Sequence, residues 1–223
     1  SDLVFQFDEE TFNKVCDLED KVDQYEDKLG TYLVKLSNSY LNNRDSQILS
    51  VLLHSIGDFE RISDHAVNIA YAAKEMNDKD LSFSDKAIEE LTVFRKAVDD
   101  IMSSTVEVFT DNDLEKAKKI EPLEEAIDYI NGEIKKRHIK RLRKGKCTIE
   151  LGFILSDITT SFERISDHCS NIAVCILQIH ENVFDTHEYM DVMKAKDNVA
   201  FTQEVKQYQL LYALPGKKTE VEE

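Results

Sequence analysis

Proline is nearly missing from this chain: Pro122 and Pro215 are the two prolines in 223 residues, beside six glycines and no tryptophan. Strand-and-turn architectures need far more frequent punctuation, so the scarcity excludes them and leaves long helices. Long apolar runs are missing too. Nothing approaches 18 consecutive apolar residues, and the start at Ser1 has neither an initiator Met nor a signal-peptide pattern. Cations are in deficit, with 28 Lys and Arg against 44 Asp and Glu and a formal charge of −16. Nucleic-acid binding depends on neutralising phosphates, so this balance argues against nucleic acid and for positive ions as ligands. Cys16, Cys147, Cys169 and Cys175 form no Cys-x-x-Cys pair and mostly lie among helical apolar residues. Buried thiols in a reducing compartment are therefore expected rather than disulfides. The composition describes a cytoplasmic all-α chain, with room for a longer parent protein.

Comparison of the chain with itself finds a repeat. Residues Phe59 to Ala70 read FERISDHAVNIA and residues Phe162 to Ala173 read FERISDHCSNIA, ten identities in twelve positions at an offset of 103. The same offset relates two helix-start patterns, Ser82-x-x-Asp85 and Asp185-x-x-Glu188. Upstream, Leu18 to Asp23 aligns with Leu123 to Asp128 at an offset of 105. Each half then holds three helices, expected near 8–42, 45–77 and 84–111, and near 113–144, 147–183 and 187–213. The predicted fold is two tandem three-helix bundles, 1–111 and 112–214, with a frayed tail at 215–223. Asn42-Asn43 and Gly145 are expected as helix stops.

Helical arithmetic, 100° per residue, shows where the acids point. Leu49, Leu53, Ile56, Val67 and Tyr71 share one stripe with Glu60 and Asp64. Glu19 and Asp23 interrupt the stripe of Phe12, Val15 and Leu33, and Glu124 and Asp128 interrupt that of Ala117, Ile120 and Ile127. Glu163 and Asp167 repeat Glu60 and Asp64 in the second copy. An inward ionised carboxylate costs several kcal/mol unless it is paired, hydrogen-bonded or metal-bound. Four such pairs at repeated positions point to one cation site per half, made by Glu19, Asp23, Glu60 and Asp64 and by Glu124, Asp128, Glu163 and Asp167. The competing account is salt-bridging, with Arg61 and Arg164 as the obvious cations. Ser156, Thr159 and Ser170 make the second stripe more polar than the first. His65 and His168 point about 140° from the Glu direction, which suits interhelical partners better than ligands. Asn68 and Asn171 extend the acidic face as donors or oxygen ligands.

FERISDH followed by NIA, in two copies, resembles the PhoU family of phosphate-homeostasis regulators, and most of all the cytoplasmic PhoU-like region of bacterial sodium/phosphate cotransporters. Ser63 and Ser166 stand where that family's motif commonly has Gly, with the carboxylate spacing intact. The resemblance implies multinuclear iron or zinc at Glu60, Asp64, Glu163 and Asp167, and regulation without catalysis. It also implies a membrane phosphate transporter domain as partner, in the same polypeptide or another, at the inner face of the membrane. On ligand chemistry alone magnesium, manganese or calcium also suit all-oxygen sites. Homodimerisation stays open.

The segment KKRHIKRLRKGK, 135–146, is expected either as a solvated helix end whose cations suit the dipole or as a dock for an anionic membrane surface. In both accounts, reversing Lys136, Arg137, Lys140 and Arg141 leaves the fold intact. Two other functional classes compete with regulation: a ferritin-like carboxylate metalloenzyme, disfavoured because Ser63 and Ser166 occupy the His position of Glu-x-x-His, and a metal-free structural bundle.

Overall fold

The computed structural model describes residues 2–181 and 198–216. Within them lie seven α-helices, α1 (Glu9–Ser37), α2 (Asn43–Asp78), α3 (Asp85–Asp111), α4 (Leu114–Ala117), α5 (Ile120–Arg143), α6 (Ile149–Glu181) and α7 (Val199–Leu211), after a 3-10 turn at Asp2–Val4. No strand occurs among the described residues. The start of the expected 187–213 helix, with its Asp185-x-x-Glu188 pattern, lies outside them, as does the tail beyond Gly216.

Local chemistry sets the boundaries. Asp8 caps α1, its carboxylate accepting from the Thr11 N–H at 2.8 Å. Asn42 corrects an expectation: rather than stopping α1, which ends at Ser37, its side chain accepts from the Asp45 N–H at 2.8 Å and starts α2. The start of α3 falls at Ser84, two residues after Ser82. The helix expected at 113–144 is divided at Lys118 and Lys119, because Pro122 has no N–H to donate and its ring crowds the carbonyl four residues back. Gly145 does close α5 as expected. Its φ of 63° is left-handed, and the Lys146 N–H returns to the Arg141 carbonyl at 3.0 Å.

Two hairpins, α1–α2 and α5–α6, meet along α2 and α6, which run antiparallel. The rings of His65 and His168 stack there with centroids 5.8 Å apart. These residues are counterparts in the repeat, so the two copies of the motif meet each other at this point. Asp58 of α2 reaches across to His168 Nδ1 at 2.9 Å and to Asn171 at 3.4 Å, and Lys79 bonds Glu150 at 2.7 Å. The two histidines are thus interhelical partners.

The third helix of the first repeat, α3, lies against α5 and α6. Phe94 meets Phe162 edge-on at 5.2 Å, and Cys169 Sγ approaches Met102 Sδ at 3.5 Å. Helix α7 packs on α5, and just beyond it the Tyr212 hydroxyl donates to Asp100 at 2.6 Å. One apolar cluster accordingly runs from Ile62 and Ile69 of α2 through Ile101 of α3 to Ile127 of α5 and Ile158 of α6. Burying each such side chain contributes about 1.5–3 kcal/mol. Residues 1–111 and 112–214 are repeats in sequence that share one core. All four cysteines are free thiols.

Candidate metal centres

Each hairpin sets the acids of its first helix against those of its second. In the α1–α2 hairpin, Glu19 lies near enough to Asp64 to feel its charge. Partial desolvation, then the charges of Asp23, Asp20 and Asp64, raise the Glu19 carboxyl above its ordinary value. Desolvation also raises Glu60, followed by the charges of Asp64 and Asp23; Arg61 opposes this, and Glu26 adds to it. The four predicted residues therefore share one field. Their oxygens are not drawn into a tight trio; Asp23 and Asp64 are exposed, and Glu19 and Glu60 half-buried.

The α5–α6 hairpin is tighter. Glu124, Asp128 and Asp167 each bring an oxygen within 4.8 Å of the others. A cation bonded at about 2.0–2.6 Å holds its ligand oxygens at such spacings, so the donor set fits a hard ion. Glu163 is held slightly apart, accepting from Asn131 at 2.6 Å and facing the Lys135 ammonium at 3.5 Å. Asp167 bonds Arg164 at 3.0 Å, so the salt-bridge partner expected from sequence is real on this side. Burial raises the Asp167 carboxyl, with Arg164 pulling the other way. Asn131 is 3% exposed, and its Oδ1 is a buried oxygen that accepts no hydrogen bond.

Sequence reasoning missed several neighbours. Glu26 lies seven residues after Glu19, and one more step of the same arithmetic finds it; its counterpart is Asn131. Glu121 and Glu125 join Glu124 in a second trio of oxygens within 4.8 Å. They stand in the first turns of α5, where the helix dipole favours negative charge, and Glu121 accepts from the Ser170 hydroxyl. Ser63 and Ser166 turn back to the carbonyls of Glu60 and Glu163, at 2.8 and 2.7 Å. The position that a ferritin-like site gives to His is therefore spent on the helix backbone.

The basic segment also corrects an expectation. Arg137 and Arg141 bond Glu90 of α3 at 3.2 and 2.7 Å, and the Glu90 side chain is 5% exposed. Arg137 also donates to the Pro215 carbonyl at 2.6 Å. These two arginines fasten α3 to α5, so reversing them should destabilise the fold. Lys136, Lys140, Arg143, Lys144 and Lys146 remain on the surface.

The chain is a helical bundle built on an internal repeat, with facing acids in each hairpin, the kind of arrangement from which carboxylate metal centres are made between helices. The PhoU domain profile matches residues 1–73 and 92–176, and the chain belongs to that family. A phosphate-specific transport system accessory protein PhoU homolog of Thermotoga maritima is 24% identical over 132 residues, 59% of this chain and 56% of the relative. Its counterpart in Deinococcus radiodurans is 21% identical over 58% of this chain and 60% of its own length. The chain thus spans a little over half of the curated relatives it matches. The crystal structure of PhoU from Pseudomonas aeruginosa superimposes with a TM-score of 0.76 at 18% identity, covering 82% of this chain and 87% of that one. A phosphate transport system regulatory protein PhoU from Streptococcus pneumoniae gives 0.68 at 19% identity, covering 79% and 82%. At these identities the likeness is one of fold.

Proposed function

We propose that the chain is a metal-binding regulatory module of phosphate transport that acts by contact with a membrane transporter, the cytoplasmic side of a sodium/phosphate cotransporter being the favoured setting. The observation carrying the metal part is the approach of Glu124, Asp128 and Asp167 within 4.8 Å, repeated in looser form by Glu19, Asp23, Glu60 and Asp64. Iron or zinc is the favoured ion, with magnesium, manganese or calcium suited by the all-oxygen donors. Such an ion supplies the positive charge that lets these carboxylates share a small volume. The chain's own part is to hold them there: Asn131 and Lys135 fix Glu163, and the packing of α1 on α2 keeps Glu19 in the field of Asp64. The regulatory part is supported by family membership and by relatives named as accessory proteins of phosphate transport rather than as enzymes.

Elemental analysis of protein purified without chelator tests the metal part. Wild type should carry metal, and Glu124→Gln with Asp128→Asn should lose that of the second centre. A metal-free wild type that ignores added iron, zinc and magnesium sinks it. The regulatory part is tested by phosphate uptake in cells lacking the chain, and unchanged uptake at both high and low phosphate counts against it. The salt-bridge reading has one observation in its favour, the Arg164–Asp167 contact, and predicts no metal and no response to chelator.

A further inference from the structure

Helix α1 carries a second pattern that the acidic sites do not use. Leu18, Val22, Tyr25, Leu29, Tyr32 and Leu36 are spaced four and three residues alternately, a seam that runs for just under three heptads. Most of this seam is open, with Leu18 48% exposed, Tyr25 65%, Leu29 46% and Tyr32 62%. At the repeat offset of 105 the first four positions become Leu123, Ile127, Ile130 and Ile134, which are 3%, 0%, 1% and 0% exposed. The last two become Arg137 and Arg141, the arginines that bond Glu90. The cause is visible in the packing: α5 is flanked by α3, α6 and α7, whereas α1 packs on α2 among the described residues. Among the described residues, the face that neighbouring helices cover on one hairpin has no helix over it on the other.

Charge identifies what suits it. Lys14, Lys21, Lys28 and Lys35 recur every seven residues along the outer border of the seam. None of them forms an ion pair among the described residues; Lys28 lies instead over the Tyr25 ring at 6.0 Å. A row of four cations with no ion pair among the described residues, in a chain of charge −16, calls for acidic neighbours. A second copy supplies the wrong ones. Antiparallel pairing sets the lysine rows against each other, and parallel pairing needs Glu19 and Glu26, which face α2.

We propose that the α1 seam docks an amphipathic helix of another protein, apolar at its own heptad a and d positions and acidic along its flanks. Helix α3 is the precedent within the molecule, burying its apolar stripe and offering Glu90 to two cations. The proposal extends the reading that the chain works by protein contact, and the two fail separately, since metal content and phosphate uptake judge that reading while helix binding judges this one. The test uses the full chain and a fluorescent three-heptad peptide with Leu at a and d and Glu at e and g, beside a twin with Lys at e and g. By anisotropy the Glu peptide should bind at least about tenfold more tightly than its twin, gain helical circular dichroism, and be lost to the pair Lys21→Glu and Lys28→Glu, whose melting temperature should match wild type. Equal binding of the twins, no binding of either, or binding indifferent to the lysine reversal overturns the proposal. So does a wild-type dimer in analytical ultracentrifugation that Leu29→Glu dissolves, because the seam then belongs to a second copy.

Discussion

The two hairpins place acids at the same repeat positions, yet their neighbours treat the charge differently. Around Glu60 the field includes Asp64, Asp23 and Glu26, with Arg61 opposing. Around its counterpart Glu163 the position of Glu26 is taken by Asn131 and that of Gly30 by Lys135, and both donate to or neutralise the carboxylate. Duplication fixed where the carboxylates stand. The facing helix decides how much negative charge is left for an ion, and the first hairpin keeps more of it in a more exposed setting. The second draws its oxygens closer while spending part of their charge on Arg164 and Lys135.

The sharpest break in the comparison lies at the helix ends. Arg137 and Arg141 hold buried Glu90, whereas their counterparts Tyr32 and Leu36 are open to solvent. Changing both arginines to Ala should destabilise the chain by about 3–5 kcal/mol, because a buried carboxylate is left uncompensated. The pair Tyr32→Ala and Leu36→Ala should stay within about 0.5 kcal/mol of wild type. Urea unfolding measures both, and equal losses would remove the asymmetry.

Metal removal comes next. A ligand at a hundredfold above its Kd stabilises the folded state by about 2.7 kcal/mol, so chelation should lower the melting temperature by several degrees. Glu60→Gln with Asp64→Asn should empty the first centre and make that part of the response vanish. Should the double variant melt lower than wild type and still respond fully to chelator, the first centre holds no ion. Exchanging neighbours should produce a smaller change. Asn131→Glu with Lys135→Gly rebuilds the first field in the second hairpin and should tighten metal there roughly tenfold, about 1.4 kcal/mol. Calorimetric titration reads it, and an unchanged or weaker site would mean that Asn131 itself supplies a needed oxygen.

pH separates metal-free from loaded protein. Glu19 and Glu60 are raised above 4.5 in the fold, so protonation favours the folded state. That contribution is complete below the unfolded value and is lost as pH climbs through the raised folded value. Metal-free protein should therefore gain thermal stability as pH falls from neutral toward 4.5, while loaded protein should lose its advantage over the same range as protons displace the ion. Parallel curves for the two forms would contradict a shared site. The smallest effect is expected from Lys136→Glu with Lys140→Glu, both on the surface, which should leave stability within about 0.5 kcal/mol. Unchanged association of this variant with anionic vesicles would exclude the membrane role for 135–146.

Periodicity in the sequence was enough to place the long helices, and the duplicated FERISDH was enough to pair the halves. The stripe on each helix, with the one helix it faces, accounts for how the eight predicted acids come to lie in two hairpins. The bond that occupies Glu163 was less legible, because Asn131 looks like any helical amide. The allegiance of α3 was hidden for a related reason. An apolar stripe says that a helix must be covered and is silent on by what, and the Glu90 partners that settle it are 47 and 51 residues downstream. Asn42 illustrates a subtler limit, since the same residue type ends one helix or begins the next depending on which backbone groups lie in reach.

The stacked His65 and His168 carry a last consequence, because the residues around them no longer match. Asp58 serves His168, while the counterpart of Asp58 beside His65 is Ser161, which lines the same groove as His65. In a symmetric dimer of identical units every substitution near the axis appears twice, and a carboxylate could not be given to one imidazole and withheld from the other. Joining the units in one polypeptide lifts that constraint. Each half became free to diverge at the seam where they meet, and the two ends of one interface can now be tuned to different tasks.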